Sequence, residues 1–261
     1  MIDLVTDARG VATLTLMRGD KHNALDQGLI DALRGVCDTI AADKGIRVVI
    51  LTGQGPSFCA GGDLGWMQEQ MRGGDDDRRR AATSLAGMLG ALNTLPKPLI
   101  GRINGNAFGG GVGLACVCDV AVADEKAKFG LTETRLGLIP ATIGPYVLAR
   151  MGEAMARRVF MSGRIFGAEE AERLGIIARA VPQGQLEDAV ASEVLPYLSC
   201  APGAVTSAKR LARVLGPRID PETVAMSIDA LVEQWKQPEA NEGITAFFER
   251  RKPYWAAESG G

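Results

Sequence analysis

Among its 261 residues the chain has a single histidine, His22. A metal site built on several imidazoles is therefore excluded, and a Ser-His-Asp triad would have to run through this one ring. His22 stands in the polar stretch Asp20-Lys21-His22-Asn23, where a solvated or locally hydrogen-bonded ring is expected. Acid–base work, if present, then falls to carboxylates. Cysteine is scarce and odd in number, with 5 residues: Cys37, Cys59, Cys116, Cys118 and Cys200. Cys116 and Cys118 lack a second pair and neighbouring histidines, which argues against zinc and for buried free thiols in a reducing compartment. No run reaches the roughly 20 apolar residues of a membrane helix. The most apolar segment, Ala107 to Ala123, is interrupted by glycines and by Asp119. The stretch Met1 to Asp7 shows no basic start followed by an apolar core, so no signal peptide is read and a cytoplasmic location is expected.

Other absences narrow the function. No window has P-loop spacing. The glycines from Gly109 to Gly113 fail the dinucleotide fingerprint because Leu114 stands where its last glycine belongs, which disfavours a nicotinamide enzyme. The formal net charge is −2 and the pI about 5.6, so no overall basic field is available for nucleic acid. The run Arg78-Arg79-Arg80 follows Asp75-Asp76-Asp77 and reads as a solvated helix start with acids in its first turn. A phosphate-binding arginine cluster is the alternative.

What is present is an ordinary soluble composition, 46% hydrophobic and 23% charged, on a chain long enough to bury a large core. Val11 to Leu16 is a β-prone run followed by a turn at Arg18-Gly19-Asp20. From Asp26 to Asp43 apolar residues recur at helical spacing, with Asp26 placed as the cap. Val48 to Leu51 reads as a buried strand closed by Thr52 to Pro56. Strand, helix, strand is the pattern of a crossover unit. A further helix is expected from about Asp77 to Leu95, stopped by Pro96 and Pro98. Then follow a strand at Leu99 to Ile103, a glycine-rich turn at Gly105 to Gly111, a small-residue helix at Val112 to Cys116 and a strand at Val120 to Ala123. Helices are expected near Ile143 to Met151, Ala154 to Ser162 and Ala168 to Leu174. From Leu186 onward the pattern is almost wholly helical, with Pro221 in the tolerated first turn of one helix. No internal sequence repeat is visible.

Two glycine-rich turns, Phe58 to Leu64 and Asn106 to Leu114, each follow an expected strand and precede a helical pattern. Backbone N–H groups there are suited to developing negative charge, and two converging on one oxygen would form an oxyanion hole. The alternative is that these glycines serve only tight turns and close helix packing.

These two turns, in this order, resemble the paired oxyanion motifs of the crotonase (enoyl-CoA hydratase/isomerase) superfamily. The resemblance continues in Arg18 to Leu25, Val48 to Gly53, Cys118-Asp119-Val120, Phe129 to Glu133, Gly137 to Pro140, Ala168 to Ala171 with Gly175 to Ile177, and Glu242 to Lys252, and so covers Val11 to Lys252. It implies an α/β fold, a spiral of repeated ββα units over residues 1–195 with a helical trimerisation region over 196–261. It also implies a homotrimer or dimer of trimers acting on an acyl-CoA thioester, with no nucleic acid or membrane partner, no metal and no separate cofactor.

By the same resemblance, the oxyanion donors are the N–H groups of Gly62 and Gly110, and Glu133 is the acid–base residue. Lys21, Ala24, Ala60, Gly61, Asp63, Leu64, Gly113, Pro140, Phe247 and Arg250 fall at positions that meet the substrate or its CoA. The family's two-glutamate hydratases carry their first glutamate where this chain has Gly113, so that pair is incomplete. A single glutamate is similar to some family isomerases and to hydratases of the methylglutaconyl-CoA and isohexenylglutaconyl-CoA type, toward which Asp63 to Met67 and Ile139 to Tyr146 also lean. The expected reaction is water addition across an α,β-unsaturated acyl-CoA. The alternatives are double-bond isomerisation by Glu133 alone and a silent acyl-CoA-binding protein. Read without the family, Glu133 is rather a helix-start or loop carboxylate on the surface, Asp119 a structural hydrogen-bond acceptor and Asp63 most simply a helix cap, while Trp66, Met67 and Tyr146 either line an acyl pocket or pack.

Overall fold

The structure is a computed structural model that describes residues 1–256; the end of the expected C-terminal region, residues 257–261, lies outside the described residues. Strands β1 (Ile2–Thr6) and β2 (Val11–Leu16) form a hairpin, and α1 (Gln27–Ala42) leads to β3 (Val48–Gly53). The expected cap holds: the Asp26 carboxylate accepts the Leu29 N–H at 2.8 Å, an interaction worth about 1 kcal/mol. β4 (Ser57–Cys59), α2 (Leu64–Arg72) and α3 (Asp75–Asn93) follow, then β5 (Leu99–Ile103), β6 (Asn106–Phe108), α4 (Gly110–Val117), β7 (Val120–Asp124) and β8 (Lys128–Gly130). Helices α5 (Gly144–Met151) and α6 (Glu153–Phe160), strand β9 (Ile165–Gly167), helix α7 (Ala168–Arg173) and strand β10 (Arg179–Val181) complete the core. The helices α8 (Leu186–Leu198), α9 (Pro202–Leu215), α10 (Pro221–Trp235) and α11 (Pro238–Phe248) form the C-terminal layer.

The strands sort into two sheets. One has six strands in the order β1-β2-β3-β5-β7-β10, the other four in the order β4-β6-β8-β9. Successive strands β3 and β4, β5 and β6, and β7 and β8 place one member in each sheet before helices return the chain, so the ββα spiral repeats in topology while the sequence does not. The five parallel strands of the larger sheet are covered on both faces, as parallel strands must be. Alternation along β3 sends Val48 toward Val11, Ile100, Val122 and the α8 residues Leu186, Val190 and Val194, while Val49 and Leu51 join the main core with Leu29, Leu33, Leu89 and Leu92.

The structure adds detail that the sequence pattern does not give. β1 carries only intermediate or exposed residues, so its membership of a sheet is set by pairing with β2 and not by an apolar run. Gly105 to Gly111 is not all turn, because Asn106 to Phe108 forms β6 between β4 and β8. The division at residues 195 and 196 falls inside α8, whose buried face belongs to the larger sheet. Cys37, Cys59, Cys116 and Cys118 are buried free thiols, but Cys200 is exposed; burial pushes the Cys59, Cys116 and Cys118 thiols up to about 12 and leaves them unreactive. The acids Asp75, Asp76 and Asp77 do open a helix, and Arg79 and Arg80 pair with Asp229 and Asp77. No helix among the described residues is long and apolar enough to cross a membrane.

Candidate active site

β4, β6 and β8 run parallel in the smaller sheet, so their C-terminal ends share one edge. Chains leaving that edge carry Ala60-Gly61-Gly62, Gly109-Gly110 and Leu131-Thr132-Glu133. Ligands to parallel sheets characteristically bind beyond such strand ends. Here the three segments open onto a cavity of about 480 Å³, lined also by Leu25, Leu64, Trp66, Met67, Ile139 to Ile143 and Phe247.

The first glycine turn is held from the side. Leu25 N–H donates to Gly61 O at 2.7 Å and Asp63 N–H to Leu25 O at 2.8 Å, a parallel bridge between Leu25 and Gly62. With its two neighbours bonded to Leu25, Gly62 directs its own N–H the other way. Gly61 sits at φ +93, and a Cβ there would come 3.0 Å from Phe108 O, so the turn needs glycine. Arg18 clamps the arrangement: its guanidinium pairs with Asp26 at 2.9 Å and Asp63 at 3.1 Å and donates to Ala24 O. Asn23, fully buried, donates to Gln54 O and Ser57 O.

The second donor lies at the start of α4. Gly110 is the first residue of that helix, with Gly109 as its N-cap. The first N–H groups of a helix have no acceptor within it and carry the positive end of its dipole. Gly111 and Gly113 answer to packing instead: a Cβ on Gly111 would meet Cys59 O at 2.2 Å, and one on Gly113 would meet Ile143 Cγ2 at 2.7 Å. Within the glycine run, packing therefore requires Gly111 and Gly113, while Gly110 presents a helix-start N–H.

Glu133 opens the short turn Glu133–Leu136. Its Oε1 lies 2.9 Å from the point a Cβ on Gly109 would occupy. Its Oε2 is buried with no hydrogen-bond partner among the described residues. Burial away from water disfavours the carboxylate and pushes its pKa up to about 7. A carboxylate poised near neutrality in the same cavity as the Gly62 turn and the α4 N-terminus could abstract or return a proton next to a carbonyl whose developing charge backbone N–H groups there would hold.

Of the residues singled out in the sequence, Gly62, Gly110, Glu133, Ala60, Gly61, Leu64, Pro140 and Phe247 line this cavity, with Trp66 and Met67. Lys21, Ala24, Asp63, Gly113 and Arg250 do not. Asp63 caps α2 by accepting from Gly65 and Trp66 N–H, Ala24 is buried under the Arg18 clamp, and Gly113 faces Ile143. Lys21 closes a 3-10 turn and is exposed, and Arg250 follows α11 with φ 54. Tyr146 packs in the core with its hydroxyl 3.4 Å from Ala86 O. Asp119 is structural, accepting Leu99 N–H at 2.7 Å and pairing with Lys209 at 2.6 Å. His22 is exposed and meets Ser57 Oγ through Nδ1 at 3.0 Å. Sequence reasoning missed Gln70, Arg78, Thr142 and Trp235 on the cavity wall. Signals existed for Arg78, in the arginine run, and for Thr142, in the Ile139 to Tyr146 stretch; Gln70 and Trp235 gave none, because which helix face meets a cavity depends on long-range packing.

A family model described as enoyl-CoA hydratase/isomerase matches residues 6–258. The chain is 32% identical over 262 residues to the mitochondrial methylglutaconyl-CoA hydratase of Mus musculus, covering 98% of this chain and 82% of that protein. Among solved structures, an enoyl-CoA hydratase from Mycobacterium avium superposes with TM-score 0.86 at 31% identity, covering 98% of both chains. One from Shewanella pealeana does so with TM-score 0.80 at 35% identity, covering 97% of this chain and 95% of that one.

Proposed function

Because the chain belongs to the enoyl-CoA hydratase/isomerase family, we propose that it adds water across the 2,3 double bond of an enoyl-CoA thioester. The observation that carries this reading is the buried Glu133 carboxylate, with its pKa raised to about 7, packed against the Gly109-Gly110 turn in a largely apolar cavity. In this mechanism the thioester oxygen lies between the Gly62 and Gly110 N–H groups. Negative charge that develops there as the β carbon is attacked is stabilised by about 3 kcal/mol per donor. Glu133 takes a proton from the attacking water and returns it to the α carbon. The thioester itself supplies the activated carbonyl, so no separate cofactor enters.

The finer reading is a branched acyl chain that carries a carboxylate. Arg78 supports it: the side chain lies on the cavity wall over the Trp235 ring, 5.2 Å from its centroid. Arg135 lines the same cavity, and cations on a mainly apolar wall suit an anionic chain end. Arg72, the basic residue nearest in sequence to the Phe58 to Leu64 turn, is not on that wall. Assembly with further copies of the chain is part of the same reading, because α9 and α10 leave Leu211, Val214, Leu215 and Met226 exposed.

Glu133→Gln tests the assignment. The amide keeps the shape but cannot exchange the proton, so hydration should fall by at least about a thousandfold, while titration calorimetry shows unchanged binding of an unreactive acyl-CoA. A variant that still hydrates would remove Glu133 from the mechanism.

A further inference from the structure

Three side-chain oxygens on the cavity wall are buried without a hydrogen-bond partner among the described residues: Oε2 of Glu133, Oγ1 of Thr142 and Oε1 of Gln70. A buried hydroxyl is costly to leave unpaired, and in folded proteins such groups are as a rule satisfied by water or ligand. Gln70 lies on α2, where Arg78 donates to its backbone oxygen at 3.0 Å, and so belongs to the wall beside Arg78. Thr142 has a different neighbourhood. The next residue, Ile143, puts its Cγ2 2.7 Å from the point a Cβ on Gly113 would occupy. Ile143 therefore fills the space in which a side chain at position 113 would start, and the residue before it, Thr142, brings a hydroxyl to the cavity wall.

Resting on the hydratase reading above, we propose that the Thr142 hydroxyl positions the attacking water for Glu133, in the place of a second carboxylate. One hydrogen of that water is held by Thr142 Oγ1 and the other by the Glu133 carboxylate, which leaves an oxygen lone pair for the β carbon. As the C–O bond forms, Glu133 takes its proton from the water and the carbon–carbon π electrons move to the thioester oxygen. Collapse of the enolate then takes that proton from Glu133 at the α carbon. One water is consumed, its hydroxyl on the β carbon and its proton on the α carbon, and Thr142 keeps its own proton throughout. An alcohol is too weak an acid or base to exchange a proton here, so its role is placement.

Thr142→Val keeps the shape and removes the hydroxyl, and Thr142→Ser returns it. Two reactions separate placement of water from general support of Glu133. One is hydration of an enoyl-CoA. The other is exchange of the α hydrogen of a saturated acyl-CoA with deuterated solvent, which needs Glu133 and the oxyanion donors but no attacking water. In Thr142→Val the hydration kcat should fall on the order of ten- to a hundredfold with KM nearly unchanged. Exchange should stay at the wild-type rate, and Thr142→Ser should recover most of the lost hydration. If Thr142→Val does not fold, Thr142→Ala is expected to show the same split. Wild-type hydration by Thr142→Val, or equal loss of hydration and exchange, would overturn the proposal and leave the hydratase reading intact. A wild-type protein that hydrates no enoyl-CoA would overturn both.

Discussion

The Glu133 carboxylate and the Gly109 backbone are in such close contact that Oε1 stands 2.9 Å from where a β carbon on residue 109 would lie, and Gly109 itself holds φ +47. Gly109→Ala therefore meets two obstacles, a conformation that alanine rarely adopts and a collision with the Glu133 carboxylate, the proposed proton-transferring group. We expect a folded Gly109→Ala protein to lose turnover on the order of a hundredfold, because a misplacement near 1 Å is costly to catalysis. Steady-state kinetics beside circular dichroism make the comparison. A folded variant with wild-type kcat would mean that Glu133 does not depend on this contact.

The raised pKa of Glu133 gives a signed pH dependence. In the proposed mechanism its carboxylate form is the working base, so the rate of hydration should climb as pH rises through about 7, and that limb should vanish with Glu133→Gln. Stability runs the other way. A carboxyl whose folded pKa lies above its unfolded value favours folding below the unfolded pKa and loses that contribution as pH rises through the folded one. Glu133→Gln should thus stabilise the protein on the order of 2–3 kcal/mol above pH 8, and not below about pH 4. Denaturant melts at the two pH values test it. An equal effect at both would mean that Glu133 is not titrating as its burial demands.

How much of this was legible in the sequence differs element by element. The long helices and the strands β2, β3, β5 and β7 were readable because their residues repeat at 3.6 or include apolar runs such as Val48 to Leu51, whereas β1 and β10 of the same sheet carry no such run. The smaller sheet was not readable, since β4, β6, β8 and β9 have 3 residues each, too few for any period. Yet it is this sheet whose parallel ends bring Gly62, Gly110 and Glu133 together. Those three residues were available only through family resemblance. Spacing alone left the glycine turns open between binding and packing, and the structure shows that Gly111 and Gly113 belong to packing.

Gly113 and Ile143 make the missing carboxylate a matter of space. Gly113→Glu alone should be destabilising by about 1–3 kcal/mol and should not raise hydration, because the new side chain starts 2.7 Å from Ile143 Cγ2. Adding Ile143→Ala should restore much of that stability. Thermal melts of the single and double variants provide the check; a Gly113→Glu protein as stable as wild type would show that Ile143 yields freely.

Helix α9 is tied to the core by the partly buried ion pair of Lys209 with Asp119 at 2.6 Å, supported by Lys209 donating to Lys97 O at 2.9 Å. Lys209→Met leaves Asp119 without its cation and should cost about 2–3 kcal/mol, below the range for a fully buried pair because solvent reaches both partners. Equilibrium urea unfolding measures the loss, and an unchanged midpoint would assign the docking of α9 to other contacts.

The central claim, that this chain hydrates an enoyl-CoA with one glutamate and two backbone donors, is tested most directly by following the oxygen. The wild-type protein is offered a 2-enoyl-CoA, a branched glutaconyl-type CoA and a 3-enoyl-CoA in water enriched in heavy oxygen, and the products are analysed by mass spectrometry. The account predicts label on the β carbon of the first or the second substrate, and none in a Glu133→Gln control. Double-bond migration in the 3-enoyl-CoA with no label in any product would contradict it and make the enzyme an isomerase. Normal binding with no product at all would make the chain a silent acyl-CoA binder.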